Sequence, residues 1–377
     1  MDKPKHILIA CGGTGGHVFP GIATGQVLQK RGHKPELWVT GRSVENDVLR
    51  GWNGPVFRTG ARPLTPANLP AFLVTLWRVW RQMRRERPDV VLAMGCYSSV
   101  PPVLVARLLG IPVVLHEANA VPGKAVAFLS RFARVTALSF AASAPHLPGR
   151  RTQVTGMPVR TALVNQPPLG AEYGDDGAVP PSRSQALEGG APSAPPEFTV
   201  LITGGSLGAH AVNELACEAI ILLHRRGVHF RAIHQCGLQD EATLRERYTA
   251  AGADVQVHAF LREMGRAYAS ASLAICRAGA ATCFELCLCG VPAILIPLPT
   301  AVRDHQRLNA EAMVQSGGAL LRMQPDLTPA LLASDIEAIL ANPDRRSAMR
   351  QALLQLAAPD AAEKLAELVV ETVNSER

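Results

Sequence analysis

Two stretches of this chain, LIACGGTGGH at 8–17 and VLITGGSLGAH at 200–210, each run an apolar strand into clustered glycines and then into a helix-like segment. When they are aligned, Gly12, Gly13, Thr14 and Gly16 fall on Gly204, Gly205, Ser206 and Gly208, so one device is used twice. Around the first copy, from Pro4 to Arg160, the runs HILIA, ELWVT, DVVLAM, PVVLHE, RVTALSF and QVTGM alternate with longer helix-like stretches. A second alternation starts at FTVLITGG and continues through FRAIHQCG, VQVHAF, LAICRAG and PAILIPLP. Strand and helix in alternation are the signature of a parallel, doubly wound α/β sheet. A length of 377 residues suits two such domains. The expected division is an N-terminal domain over 1–160, a linker over 161–197, a C-terminal domain over 198–345, and C-terminal helices over 346–377 that pack back toward the domain junction. The linker expectation rests on 166–197, which is rich in Pro, Gly, Ser and Ala and lacks apolar periodicity.

A strand that ends in glycines just before a helix exposes backbone N–H groups and the positive end of the helix dipole, and both favour anions. The alternative is a tight turn without a ligand. Two matched copies in separate domains favour the anion cradle, so each domain is expected to hold a phosphate. Neither copy has the GK[ST] of a nucleotide-hydrolysing loop, and neither completes GxGxxG. His17 falls opposite Ala209, so only the first copy places an imidazole at the loop mouth. A neutral histidine can take a proton from an attacking hydroxyl, or it can simply fill space beside the loop. Pro20 is expected near the first turn of the helix that follows.

Charge is divided unevenly. Residues 1–160 carry 21 Lys and Arg against 7 Asp and Glu, whereas 161–377 carry 17 against 24. A basic half implies an anionic partner. In LPAFLVTLWRVWRQMRRER, residues 69–87, helical spacing puts Leu69, Phe72, Leu73, Leu76, Trp80 and Met83 on one face with Trp77 beside it, and crowds arginines onto the other. Such a helix suits an anionic membrane interface, or packs on a core with its arginines in water. Nucleic acid is disfavoured, because no recognised module accompanies the arginines and aromatic residues make up only 5% of the chain. No apolar run approaches the ~20 residues of a bilayer crossing. No secretory leader is expected before the first strand. The eight cysteines include no CxxC pair, and CFELCLC at 283–289 reads as small core residues rather than a metal site.

Several loops carry polar groups where parallel sheets place ligand contacts. Glu117 and Asn119 of HEAN follow a strand and serve either a ligand or their own loop. Arg277 and the Gly279–Thr282 turn ahead of Glu285 suit an anion or sugar contact. DHQRLNA at 304–310 offers amides and imidazole to hydroxyl groups, or is an ordinary polar helix start.

In order and approximate spacing, GGTGGHVFPG, the MGCYSS region around Tyr97, HEAN, PVR at 158–160, GGSLGA, CRAGA with Glu285, and DHQRLNA make the chain resemble the MurG family of N-acetylglucosaminyltransferases. The resemblance runs through both domains. It implies a GT-B architecture, two Rossmann-like domains facing a cleft, and metal-independent inverting transfer without a cofactor at the cytoplasmic face of the membrane. UDP-N-acetylglucosamine is the implied donor. Its implied contacts are Ser206 with the GGSLGA loop at the diphosphate, Leu261 near uracil, Glu285 on the ribose, and Ala280, Ala281, Thr282 and Gln306 about the sugar. Arg160, Asn119, Thr14, Gly15 and Gly16 complete the donor set. An undecaprenyl-pyrophosphoryl-N-acetylmuramoyl-pentapeptide is the implied acceptor. It would meet Gly12, Gly13 and Tyr97, with His17 as the base and the lipid near the Leu69–Trp80 helix. The chain departs from the usual pattern at Cys96, Met157, Leu207, Ala278 and His305. Leu207 and Ala278 are expected to remove polar side chains near the donor diphosphate. Related activities with the same likeness are transfer to another lipid acceptor and epimerisation of a UDP-sugar without acceptor.

Overall fold

In a computed structural model the described residues are 3–13, 15–160, 163, 198–205, 208–261 and 263–375. Thr14, Ser206, Leu207 and the 166–197 stretch lie outside them. The chain divides into two compact units, Met1–Arg160 with Ala358–Arg377, and Thr161–Ala357.

In the first unit, β1 (His6–Ala10), β2 (Lys34–Val39), β3 (Val56–Arg58), β4 (Val90–Ala93), β5 (Val113–Glu117), β6 (Val135–Leu138) and β7 (Thr152–Val154) form a sheet in the order β3-β2-β1-β4-β5-β6-β7. All its pairings are parallel; Ala10, for example, is level with Trp38 on one side and with Ala93 on the other. Parallel strands buried on both faces have to be apolar throughout, which explains the unbroken runs seen in the sequence. The pleat sends Ile7 and Ile9 to one face and Leu8 and Ala10 to the other. The first face is covered by α1 (Gly15–Lys30) and by the last helix of the chain, Ala361–Asn374, which contributes Leu365, Leu368 and Val369 to that core. The second face is covered by α3 (Leu69–Arg85) and α4 (Val100–Leu108). A short helix, α2 (Ser43–Leu49), follows β2, and α5 (Lys124–Leu129) follows β5.

The second unit repeats the plan with β8 (Thr199–Thr203), β9 (Arg231–Gln235), β10 (Val255–His258), β11 (Leu273–Cys276), β12 (Ala293–Leu295) and β13 (Ala319–Leu321), in the order β10-β9-β8-β11-β12-β13. Its helices include α6 (His210–Arg225), α7 (Glu241–Ala251), α8 (Met264–Ser270), α9 (Ala280–Cys289), α10 (His305–Gln315), α11 (Pro329–Leu340) and α12 (Pro343–Leu356). The C-terminal block expected over 346–377 is split: α12 puts Met349 in the second unit's core, and α13 (Ala361–Asn374) belongs to the first. The eight cysteines are free, and seven are buried. No group of three or more His, Cys, Asp or Glu side chains among the described residues is placed to hold a metal.

In each sheet the chain reverses its direction of growth once, between β1 and β4 and between β8 and β11. Ligands of open α/β sheets bind outside the carboxyl ends of the strands at that reversal. Each glycine loop lies there.

Candidate functional site

In the first unit, β1 ends at Ala10 and α1 begins at Gly15, so the loop is short. Gly13 has φ +95°, which L side chains rarely adopt, and a β-carbon there would come within 3.1 Å of the Tyr97 ring. A β-carbon on Gly12 would meet Thr40 and Ser98 at 3.0 Å. Both glycines are therefore close-approach residues, and both are buried. The Gly13 N–H donates to the Glu45 carboxylate at 2.7 Å. The amide expected to face the acceptor thus already has an anion, and the protein supplies it. Gly15 and Gly16 open α1, with Gly16 exposed. Pro20 lies inside α1 rather than at its first turn, so the Gly16 carbonyl gains no i+4 amide partner from it.

His17 sits on the first turn of α1, half-buried, and its Nδ1 lies 2.9 Å from the Met94 carbonyl oxygen. A carbonyl only accepts, so Nδ1 carries the proton and the lone pair of the neutral ring is on Nε2. Met94 directly follows β4, and Tyr97 is three residues further on. The Tyr97 hydroxyl is buried without a hydrogen-bond partner among the described residues. A buried hydroxyl left in that state costs about 1–3 kcal/mol. Cys96 instead bonds inward, its Sγ 2.8 Å from the Ser98 hydroxyl.

Asn119 follows β5. Its backbone and side-chain amides both donate to Oε1 of Glu117, at 2.8 and 3.0 Å, while Gly123 donates to Oε2 at 2.9 Å. Burial pushes the Glu117 carboxyl above its ordinary range, against these hydrogen bonds. Glu117 therefore organises its own loop. The neighbouring His116 is buried against Ser139, and burial, helped by the charge on a protonated His17, lowers its pKa to about 4. Met157, one of the departures, is buried, and its sulfur accepts from the Ser139 hydroxyl at 3.5 Å. Arg160 ends the unit with its guanidinium 5.0 Å from the Phe19 ring centroid, which ties it to the start of α1.

Helix α3 corrects one sequence expectation. Its core stripe is Thr75, Val79 and Met83, with Phe72 and Leu76 half-buried. Leu69, Leu73, Trp77 and Trp80 lie on the neighbouring arc and face solvent, Trp77 at 55% exposure and Trp80 at 40%. Met83 is thus separated from the face on which periodicity placed it. The apolar arc is wider than the contact with the sheet and continues into water. Arg81 lies over the Trp77 ring at 5.5 Å and Arg84 over Trp80 at 5.2 Å. No helix among the described residues is long and apolar enough to cross a membrane.

In the second unit α6 begins only at His210, so the second glycine loop is longer than the first. Gly205 matches Gly13 with φ +89°, whereas Gly208, at φ +76°, has no helical counterpart to Gly16. The Gly205 N–H donates to the Thr203 hydroxyl at 3.2 Å, Thr203 donates to Gln235 Oε1 at 2.6 Å, and Gln235 Nε2 donates back to the Gly205 carbonyl at 3.0 Å. Behind this loop His234 is buried between Tyr248 and Asn213, and burial lowers its pKa to about 3.

After β11, Arg277 donates to the carbonyls of Ile296 and Pro297 at 3.1 and 3.0 Å and to Gln324 at 2.7 Å. It braces the loop after β12, which corrects its reading as an anion contact. Ala278, one of the departures, is fully buried, and its carbonyl accepts from Asn309 at 3.2 Å. Ala280 opens α9, Ala281 and Thr282 are half-buried, and the buried Glu285 accepts from the Tyr268 hydroxyl at 3.1 Å. Leu261 is half-buried in the loop after β10. Gln306, on the first turn of α10, accepts the Leu298 N–H through Oε1 at 3.0 Å. Arg303 and Asp304, just before it, both have positive φ, 54° and 55°, and such strain is held where a loop is over-determined.

Residues 7–138 match the glycosyltransferase family 28 N-terminal domain, and 199–365 match the C-terminal domain of the same family. A protein of Anaeromyxobacter sp. (strain Fw109-5), named UDP-N-acetylglucosamine--N-acetylmuramyl-(pentapeptide) pyrophosphoryl-undecaprenol N-acetylglucosamine transferase, is 36% identical over 97% of this chain and 93% of that relative. One of the same name from Myxococcus xanthus is 34% identical over 97% and 92%. The crystal structure of Acinetobacter baumannii MurG covers 98% of this chain and all of its own at TM-score 0.75 and 33% identity. The chain belongs to the MurG family. It is a glycosyltransferase of GT-B fold. A crystal structure of a UDP-N-acetylglucosamine 2-epimerase, at TM-score 0.69 and 15% identity over 100% of this chain and 98% of its own, shares the fold with this MurG family member. Glu45, buried under the first glycine loop, is a residue to which no motif in the sequence points.

Proposed function

We propose that the chain transfers N-acetylglucosamine from UDP-N-acetylglucosamine to the 4-hydroxyl of undecaprenyl-pyrophosphoryl-N-acetylmuramoyl-pentapeptide, without a metal and with inversion at the anomeric carbon. The names of its relatives supply the two substrates. The observation that carries the chemistry is the His17 tautomer. With its proton fixed on Nδ1 by the Met94 carbonyl, the ring offers Nε2 as the base. In this reading Nε2 takes the proton of the muramoyl hydroxyl. The oxygen attacks the anomeric carbon while the bond to UDP breaks on the opposite face, and one displacement inverts the centre. Tyr97 gains on the acceptor the partner it lacks among the described residues.

The donor reading uses the second glycine loop with Ser206, whose amides and helix end would stabilise the departing diphosphate by about 3 kcal/mol per well-aimed donor. Leu261 would line the uracil and Glu285 would accept from the ribose. Ala280, Ala281, Thr282 and Gln306 would surround the sugar, Gln306 through the N–H groups left when its oxygen faces Leu298. Thr14, Gly15, Gly16, Asn119 and Arg160 would complete the donor contacts from the first unit.

The reading also makes the chain a peripheral protein of the cytoplasmic membrane face. Support comes from the exposed Leu69, Leu73, Trp77 and Trp80 with arginines stacked on the tryptophans. Replacing Trp77 and Trp80 by Ala is expected to lower partitioning onto phosphatidylglycerol vesicles about tenfold for each; unchanged sedimentation would remove the membrane assignment.

The decisive experiment incubates the protein with labelled UDP-N-acetylglucosamine and the lipid-linked acceptor, with and without chelator. Chelator-insensitive formation of the lipid-linked disaccharide is the expected result. Product only with diacylglycerol, or conversion of donor without acceptor, would overturn the reading.

A further inference from the structure

Glu45, the third residue of α2, is 1% exposed and has no part in the reaction as proposed. Its Oε1 accepts from the Gly13 N–H at 2.7 Å, the Thr40 N–H at 3.2 Å and the Thr40 hydroxyl at 2.7 Å. Its Oε2 accepts from the N–H groups of Gly41 and Arg42 at 2.7 and 3.1 Å. Every partner is a donor, four of them are main-chain amides, and no basic side chain pairs with it among the described residues. A ring of amide donors around one carboxylate is how a protein holds a bound anion. Burial opposes ionisation here, but the amides of Gly13, Gly41 and Thr40 and the Thr40 hydroxyl together outweigh it and hold Glu45 below the ordinary carboxylate range.

We infer that Glu45 is a positioning residue for the transfer: a built-in anion that ties the β1–α1 loop to the end of β2 and so fixes where α1, with His17 on its first turn, begins. The inference rests on the reading of His17 as the base. Gly13 is two residues ahead of the start of α1, and its positive φ makes it the point at which the chain turns into the helix. Releasing its N–H frees that turn, and a reacting group displaced by about 1 Å can lose on the order of 10²-fold in rate. Glu45 also keeps a substrate phosphate off the Gly13 amide, because the two anions would compete for one donor.

Full-length Glu45→Gln and Glu45→Ala test this. Glu45→Gln keeps the shape but turns an NH₂ group onto donors, and is expected to lower kcat about 30-fold with the donor KM within about twofold. Glu45→Ala is expected to lose more and to regain several-fold in kcat with added acetate but not with chloride, since acetate returns a carboxylate to the vacated ring of donors. Amide exchange at Gly13 should accelerate at least tenfold in both variants while the second unit keeps its protection. A folded Glu45→Gln with kcat within twofold of the parent, or a loss carried by donor KM, would overturn the inference. So would Glu45→Ala insensitive to acetate. If the parent protein itself does not transfer the sugar, the functional reading has failed and exchange alone decides: faster exchange at Gly13 and Gly15–His17 sustains the positioning role, and unaltered protection ends it.

Discussion

The two glycine loops share a strand, a glycine at nearly the same positive φ and a following helix, yet they dispose of the same amide differently. Gly13 gives its N–H to the carboxylate of Glu45 at 2.7 Å, and Gly205 gives its N–H to the hydroxyl of Thr203 at 3.2 Å. The first loop therefore carries a fixed negative charge at its centre, while the second is held by a neutral Thr203–Gln235 network. A phosphate approaching the first would meet repulsion over short distances in a poorly solvated setting. Approaching the second, it would meet amides and a helix end whose first residue, His210, is paired with Asp240 at 2.9 Å. Like glycine patterns need not bind like ligands. What fills the loop from behind decides, and that residue comes from another part of the chain.

The sharpest way to break this contrast is at His17, which only the first loop has. His17→Ala is expected to lower kcat by about 10²–10⁴-fold while donor affinity, measured by calorimetry with UDP, stays within about twofold. A variant that keeps kcat within threefold would remove the base from the first unit and leave the two loops functionally alike.

Each unit also buries a neutral histidine, and this gives an acid-side comparison. His116 has its pKa lowered to about 4 and His234 to about 3, both chiefly by burial. The unfolded chain takes up these protons near pH 6.5 and the folded one does not. Stability therefore rises with pH in this range and is lost on acidification. Each histidine should cost about 1.4 kcal/mol per pH unit below 6.5. Down to about pH 4 the two cost alike, and below it only His234 keeps adding. His234→Gln should flatten the acid limb in denaturant titrations, and an unchanged slope would mean that the imidazole is charged in the fold.

Thr203→Val should sharpen the contrast with Glu45. It orphans the Gly205 N–H and leaves Gln235 without its donor, a loss of about 1–3 kcal/mol at a buried site. The expected effect is a donor KM raised about tenfold with kcat within about twofold. A fall in kcat with donor KM unchanged would show that the second loop positions the reaction just as the first does.

Much of this was legible in the sequence, because a doubly wound sheet writes itself into apolar runs and the glycine loops sit where those runs stop. The parts that were not legible share a cause. Glu45 lies in RSVEN, where an acid three residues after a helix boundary reads as ordinary capping. Its main-chain partner at Gly13 is 32 positions away and carries no side-chain signature. Arg277 reads as an anion contact because charge is visible in a sequence, whereas the carbonyls of Ile296 and Pro297 that occupy it are not. In α3 the apolar arc was visible, but its buried edge, with Val79 and Met83 in and Leu73 and Trp77 out, is set by where the sheet touches it. The full burial of Ala278 is likewise invisible in the sequence.

The smallest expected effect concerns Tyr97, whose ring lies against Gly13 on the charged side of the comparison. A hydroxyl placed there for the fold would have a partner, and this one is buried with none among the described residues. Tyr97→Phe therefore separates the two purposes by sign. Removing an unsatisfied buried hydroxyl should stabilise the folded protein by up to about 1 kcal/mol, read as a raised denaturant midpoint. If the acceptor supplies the missing partner, the same change should raise acceptor KM by about three- to tenfold, the worth of one hydrogen bond, with donor KM untouched. Stabilisation without any change in acceptor KM would mean that the hydroxyl serves neither fold nor substrate, and would take Tyr97 out of the site. Destabilisation would mean that it has a partner in solution after all, and the charged loop would then lose the neighbour that most clearly distinguishes it from Gly205.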